Sequence, residues 1–82
     1  MKILPISPRP EKYLIERNIT KQFKKQKKFF EQNQFHPSLR TEILKPRHLK
    51  IYSFRITGKY RAIFIYTGNN QIEIVDINNH YQ

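Results

Sequence analysis

The chain predicts an α+β fold in which an N-terminal edge strand and a helical hairpin precede a three-stranded antiparallel meander, in the order β-α-α-β-β-β. Three observations lead there. Apolar residues recur at helical spacing between Ile19 and Asn33. The last third is rich in Ile, Tyr, Phe and Thr, and it is broken by two turn signals, Gly58-Lys59 and Gly68-Asn69-Asn70. The length of 82 residues suits one domain spanning residues 1–82.

Lys2 to Ile6 is a short apolar stretch interrupted by Pro5, which cannot donate to a ladder, so it reads as an edge strand. Ser7, Pro8, Pro10 and Glu11 then supply an N-cap, prolines for the first turn and an early carboxylate. A helix is predicted from about Pro8 to Arg17, ending near Asn18. In the second helix Ile19, Gln22, Phe23, Gln26, Phe29, Phe30 and Asn33 share one arc, with Lys21, Lys24, Lys25, Lys27 and Lys28 on the other side. The apolar arc should pack on a sheet. The lysines form either a solvated back or a phosphate-binding face.

Pro37 biases His36 away from helical geometry, so the second helix should end before it. Ser38 to Leu44 reads as a turn or irregular strand anchored by Leu39 and Leu44, and Lys45 to His48 as a basic loop. The meander strands are predicted over Leu49–Thr57, Tyr60–Thr67 and Gln71–Ile77. In the first, Lys50, Tyr52, Phe54 and Ile56 share one face, and Ile51, Ser53, Arg55 and Thr57 the other.

The charge is lopsided. Sixteen Lys and Arg against six Asp and Glu leave a formal charge of +10. All sixteen lie between Lys2 and Arg61, and residues 62–82 contain none. Self-repulsion on so small a surface points to a polyanion or an acidic protein as partner. Other chemistries are disfavoured. The chain is too short for an enclosed cofactor cavity, it has no cysteine, and its three histidines are scattered, so neither a cofactor nor a metal is expected. The longest apolar run, Ala62 to Tyr66, is far short of a membrane span, and no signal-like segment opens the chain, so a soluble cytoplasmic protein is expected.

Arg55 and Arg61 flank the first hairpin turn, and register decides whether they cooperate. A two-residue turn would put them on opposite faces, whereas a three-residue loop at Thr57-Gly58-Lys59 would set them opposite one another, a like-charge pair that suits a bound phosphate. Both registers remain open on sequence. The terminal His80-Tyr81 reads either as a frayed tail or as a proton-transfer group at the sheet edge. Glu42 is the only carboxylate between Gln32 and Glu73.

These residues also carry a resemblance. His36-Pro37-Ser38-Leu39-Arg40, Leu44, Tyr52-Ser53-Phe54-Arg55-Ile56, Tyr60-Arg61-Ala62-Ile63-Phe64, the strand Ile72 to Ile77 and the terminal His80-Tyr81 resemble the RelE/ParE superfamily of small bacterial toxins. The resemblance implies metal-independent cleavage of mRNA, often on the ribosome, in which the ribose 2′-hydroxyl attacks the adjacent phosphate. It implies Arg61 at the scissile phosphate, Arg55 as a second basic group, His80 as acid or base, and Tyr81 at the place of a terminal tyrosine. Lys50, Lys59, Arg40, Arg47 and Ser53 are the expected RNA contacts. Some members carry a glutamate base in the segment that reads Pro37-Ser38-Leu39 here, and Ser38 does not replace it. An acidic antitoxin is the implied partner, covering Lys50, Arg55, Lys59 and Arg61 of a toxin that is monomeric when free. The alternatives are a toxin that inhibits a topoisomerase by binding it, and an inactive RNA-binding module.

Overall fold

The computed structural model describes residues 1–79. The elements are β1 (Lys2–Ile3), α1 (Pro8–Glu16), α2 (Thr20–Gln32), β2 (Glu42–Ile43), β3 (Tyr52–Arg55), β4 (Tyr60–Gly68) and β5 (Gln71–Asn79). Single 3-10 turns over Pro37–Leu39 and Arg47–Leu49 flank β2. The strands form one sheet in the order β1-β5-β4-β3-β2, with β1 parallel to β5 and every other pair antiparallel. The α+β class and the meander agree with the sequence. The predicted N-terminal edge strand is β1, which takes the sheet edge beside β5, and the sheet gains one strand beyond expectation because the irregular segment after Ser38 pairs with β3.

Both helices follow local rules with one departure. Ser7 occupies the N-cap of α1, but its side chain makes no capping bond. At the other end Asn18 takes a left-handed φ of 58°, and the amides of Asn18 and Ile19 return to the carbonyls of Ile15 and Leu14. That closing motif favours Asn among residues with a side chain. In α2 the buried positions are Phe23, Gln26 and Phe30, and Ile19 is buried at its N-cap. Gln22, inside the predicted arc, is exposed. Phe30 sits between Phe54 and Phe64, with ring centroids 5.2 Å from each. These aromatic pairs add about 0.5–1.5 kcal/mol each beyond area burial.

The strand bounds differ from expectation at β3. Leu49 lies in a 3-10 turn and Lys50 has a φ of 54°, so the extended run begins at Tyr52. Leu39 is fully buried as expected, whereas Leu44 is only half-buried. In β5, Ile74 and Ile77 are three residues apart, which is the wrong parity for one face of a strand. A register shift between Ile63 and Phe64 resolves this, since their partners on β5 are Asp76 and Ile74. The bulge at Val75 turns both isoleucines inward, each 2 % exposed. Among the described residues no helix is long and apolar enough to cross a membrane.

Candidate active site on the open sheet face

The hairpin register is the one that juxtaposes the arginines. Arg55 pairs with Arg61, Phe54 with Ala62 and Ser53 with Ile63, and the Ile56 and Thr57 amides both bond the Tyr60 carbonyl across the loop. Thr57 Oγ1 accepts from the amides of Lys59 and Tyr60, which tightens the turn. Phe54, Ala62 and Phe64 therefore face the helices. Ser53, Arg55 and Arg61 stand on the opposite face.

Arg61 is 7 % exposed, an unusual burial for an arginine. Its Nε donates to Ser53 Oγ at 2.9 Å, and its Nη2 donates to the Arg40 carbonyl at 2.6 Å and to the Ser53 carbonyl at 3.4 Å. Glu42 Oε1 lies 3.8 Å from Nη2. Two edges of the fork are thus held by the protein, and among the described residues Nη1 has no acceptor. Burial lowers the Arg61 pKa; Glu42 opposes this, and Arg55 and Arg40 add to it. The guanidinium stays charged, because arginine titrates far above neutrality. One partly exposed carboxylate beside three arginines leaves the local field positive, which favours an anion.

Arg40 reaches its position through a left-handed backbone, φ 45° and ψ 50°, at the end of the Pro37–Leu39 turn. A side chain in that region costs on the order of 1 kcal/mol, and here the strained residue aims its carbonyl at Arg61. Gln26 braces the same end of the sheet. Its Nε2 donates to the carbonyls of Ser38 and Arg55, at 3.1 and 2.8 Å. A buried polar residue on the apolar side of α2 thereby ties the helix to both segments that carry the arginines.

The other expected site residues divide into groups. Arg55 is half-buried, and its Nη2 lies over the hairpin loop, 3.2 Å from where a Cβ on Gly58 would stand. Lys59 is exposed, with Nζ 5.5 Å from the Tyr60 ring centroid. Arg47 and Lys50 are exposed at the far end of β3, about 13 Å of strand from the hairpin loop. Ser53, expected as an RNA contact, is fully buried and supports Arg61 instead. Ser38 holds a local network, with its Oγ 2.9 Å from His36 Nδ1 and its amide donating to the same nitrogen at 3.2 Å. The His36 ring stacks on Phe29 at 4.2 Å. His80 and Tyr81 lie outside the described residues.

Sequence reasoning passed over Glu42 as a functional group. Its signal was its solitude as a central carboxylate, but only the pairing of Glu42 with Ser53 brings it beside Arg61. Among the described residues no cluster of three or more metal-binding side chains occurs.

No family model and no curated protein matches the chain. Solved structures do. The YoeB/ParE toxin from Agrobacterium tumefaciens superposes with a TM-score of 0.71 over 99 % of this chain and 100 % of its own, at 17 % identity. The toxin-antitoxin YoeB-YefM complex from Staphylococcus aureus contributes a chain with a TM-score of 0.70, covering 99 % and 98 %, at 24 % identity. The chain has the fold of the YoeB/ParE toxins.

Proposed function

We propose that this protein is a toxin of a toxin-antitoxin pair and a metal-independent endoribonuclease acting on mRNA, with the ribosome as the setting. The observation that carries the reading is the guanidinium of Arg61, buried on three protein acceptors with a solvent-facing carboxylate 3.8 Å away. Cleavage by the 2′-hydroxyl requires a base for one proton, positive charge for the dianionic phosphorane and an acid for the leaving 5′-oxygen. Glu42 serves as the base, in place of the carboxylate missing at Ser38. Arg61 and Arg55 supply the charge, preorganised so that little reorientation is needed at the moment of reaction. His80 follows Asn78, the cross-strand partner of Arg61, by two residues, and it is assigned the acid role with Tyr81 beside it in sequence. The products are a 2′,3′-cyclic phosphate and a 5′-hydroxyl.

The inhibitor is an acidic antitoxin that competes with phosphate for Arg55, Lys59 and Arg61. The support is the charge of +10 together with a fold shared with a toxin solved in complex with YefM. The test induces wild type, Glu42→Gln and an Arg61→Ala/His80→Ala double variant, and maps 5′ ends of cellular message by primer extension. New ends with wild type alone support the reading. Growth arrest with intact message would overturn it and point to a protein target such as a topoisomerase.

A further inference from the structure

Arg61 covers only part of the open sheet face. Its guanidinium leans from β4 across Ser53 toward the Arg40 carbonyl, so it shields the β3 side of that face. The β5 side is bare. Ile63 stands between Ser53 and Asp76 in cross-strand register, and Ile65 stands opposite Glu73. Both isoleucines share the face of Arg61, because they follow it by two and four residues along the same strand. Each is only half-buried, and Glu73 and Asp76 are exposed.

The bulge in β5 adds to this surface. It leaves Val75 44 % exposed, between the two carboxylates in sequence. Asp76 Oδ1 accepts from the Ile77 amide at 2.9 Å, which fixes the carboxylate, and among the described residues its second oxygen has no donor. The open face of an antiparallel sheet is ordinarily polar. Here it runs instead from the paired cations Arg55 and Arg61, over two isoleucines, to two hydrogen-bond acceptors on β5.

We propose that Ile63 and Ile65 form the floor for one nucleobase with an exocyclic amino group, carried by the nucleotide whose phosphate sits at Arg61. The proposal rests on the nuclease reading and deepens it by adding a base preference. The link is the strand itself, because Ile63 lies about 7 Å from Arg61 on the same face, within the span of one nucleotide. Each part of the nucleotide then meets its complement. The phosphate takes the arginine end, the isoleucines shield one face of the base from water, and the free oxygen of Asp76 accepts from the amino group, which uracil lacks. An acidic peptide is a poorer occupant, since Glu73 and Asp76 repel it beyond the arginines.

The test uses 2′-O-methyl RNA, which has no nucleophile, so binding is read whether or not the protein cleaves. End-labelled 2′-O-methyl hexaadenylate, hexauridylate and an abasic hexamer of the same charge are titrated by fluorescence anisotropy against wild type, Ile63→Thr, Ile63→Val and Asp76→Ala. Salt is varied, and circular dichroism checks that each variant is folded. Wild type should bind hexaadenylate about ten-fold more tightly than the abasic hexamer, and Ile63→Thr should lose most of that margin with an unchanged salt slope. Ile63→Val should keep it. Asp76→Ala should bind hexaadenylate and hexauridylate alike. Equal binding of hexaadenylate and the abasic hexamer by wild type, with a steep salt slope, would overturn the isoleucine floor and leave the phosphate site of the nuclease reading standing. Binding of neither would overturn both. Hexaglutamate binding that weakens in Ile63→Thr, with RNA binding untouched, would reassign the surface to a peptide.

Discussion

The two faces of the β3-β4 hairpin are built on opposite principles. On the helix side Phe54, Ala62 and Phe64 are fully buried, and the Phe54 and Phe64 rings pack against Phe30, so each contact is non-directional and many are redundant. On the open side a single cation is held by a few directional bonds to Ser53 and Arg40. The first face supplies stability. The second consumes some of it, through a desolvated charge, neighbouring arginines and a left-handed Arg40, to keep one group oriented. Folding and the candidate chemistry therefore lie a strand's thickness apart and should respond differently to substitution.

The sharpest way to expose the contrast is Phe64→Ala. It removes a fully buried ring that meets Phe30, Phe54, Tyr52 and Tyr66, and it should lower stability by about 3–5 kcal/mol in urea unfolding. Gln26→Leu comes next. It strands the Ser38 and Arg55 carbonyls, and it should cost about 1–3 kcal/mol while also disturbing the arginine site, seen as reduced message cleavage at temperatures where the variant is folded. Arg61→Met should do the reverse. Removing the desolvation of the buried charge offsets the lost bonds, so stability should stay within about 1 kcal/mol of wild type while cleavage disappears. Arg40→Gly should stabilise by up to about 1 kcal/mol, since glycine enters the left-handed region without strain and the carbonyl bonded to Arg61 is retained. A variant as unstable as Phe64→Ala at position 61 would erase the distinction between the faces.

The smallest effect is spectroscopic. Burial, and then Tyr52, raises the Tyr66 pKa above its ordinary 10.0. A raised folded pKa gives stability that is present below the unfolded value and lost as pH climbs through the folded one. In an alkaline absorbance titration Tyr66 should ionise late, and Tyr66→Phe should remove that late component.

Much of the fold was legible because it rests on local periodicity. The alternation in Tyr52 to Ile56 assigned the faces of β3, and the 3.6-residue spacing of Ile19, Phe23, Gln26 and Phe30 assigned the buried side of α2. Asn18 announced the end of α1 for a local reason too. The charge asymmetry and the candidacy of Arg55 and Arg61 also followed from composition and order along the chain.

What tertiary structure decided was everything that depends on partners distant in sequence. The loop register, undecided between two turn lengths, is set where it buries Phe54 and Ala62 together on the helix side, because a one-residue slip would put the two on opposite faces of the sheet. The bulge at Val75 follows from the same demand on Ile74 and Ile77. β2 is two residues long, too short to declare itself by period, and it exists because the edge of β3 pairs with it, while β1, legible as an edge strand, owes only its parallel partner β5 to the tertiary structure. Glu42 belongs to that class. Its neighbours in sequence say nothing of Arg61, and only the pairing of β2 with β3 sets a carboxylate beside the buried guanidinium.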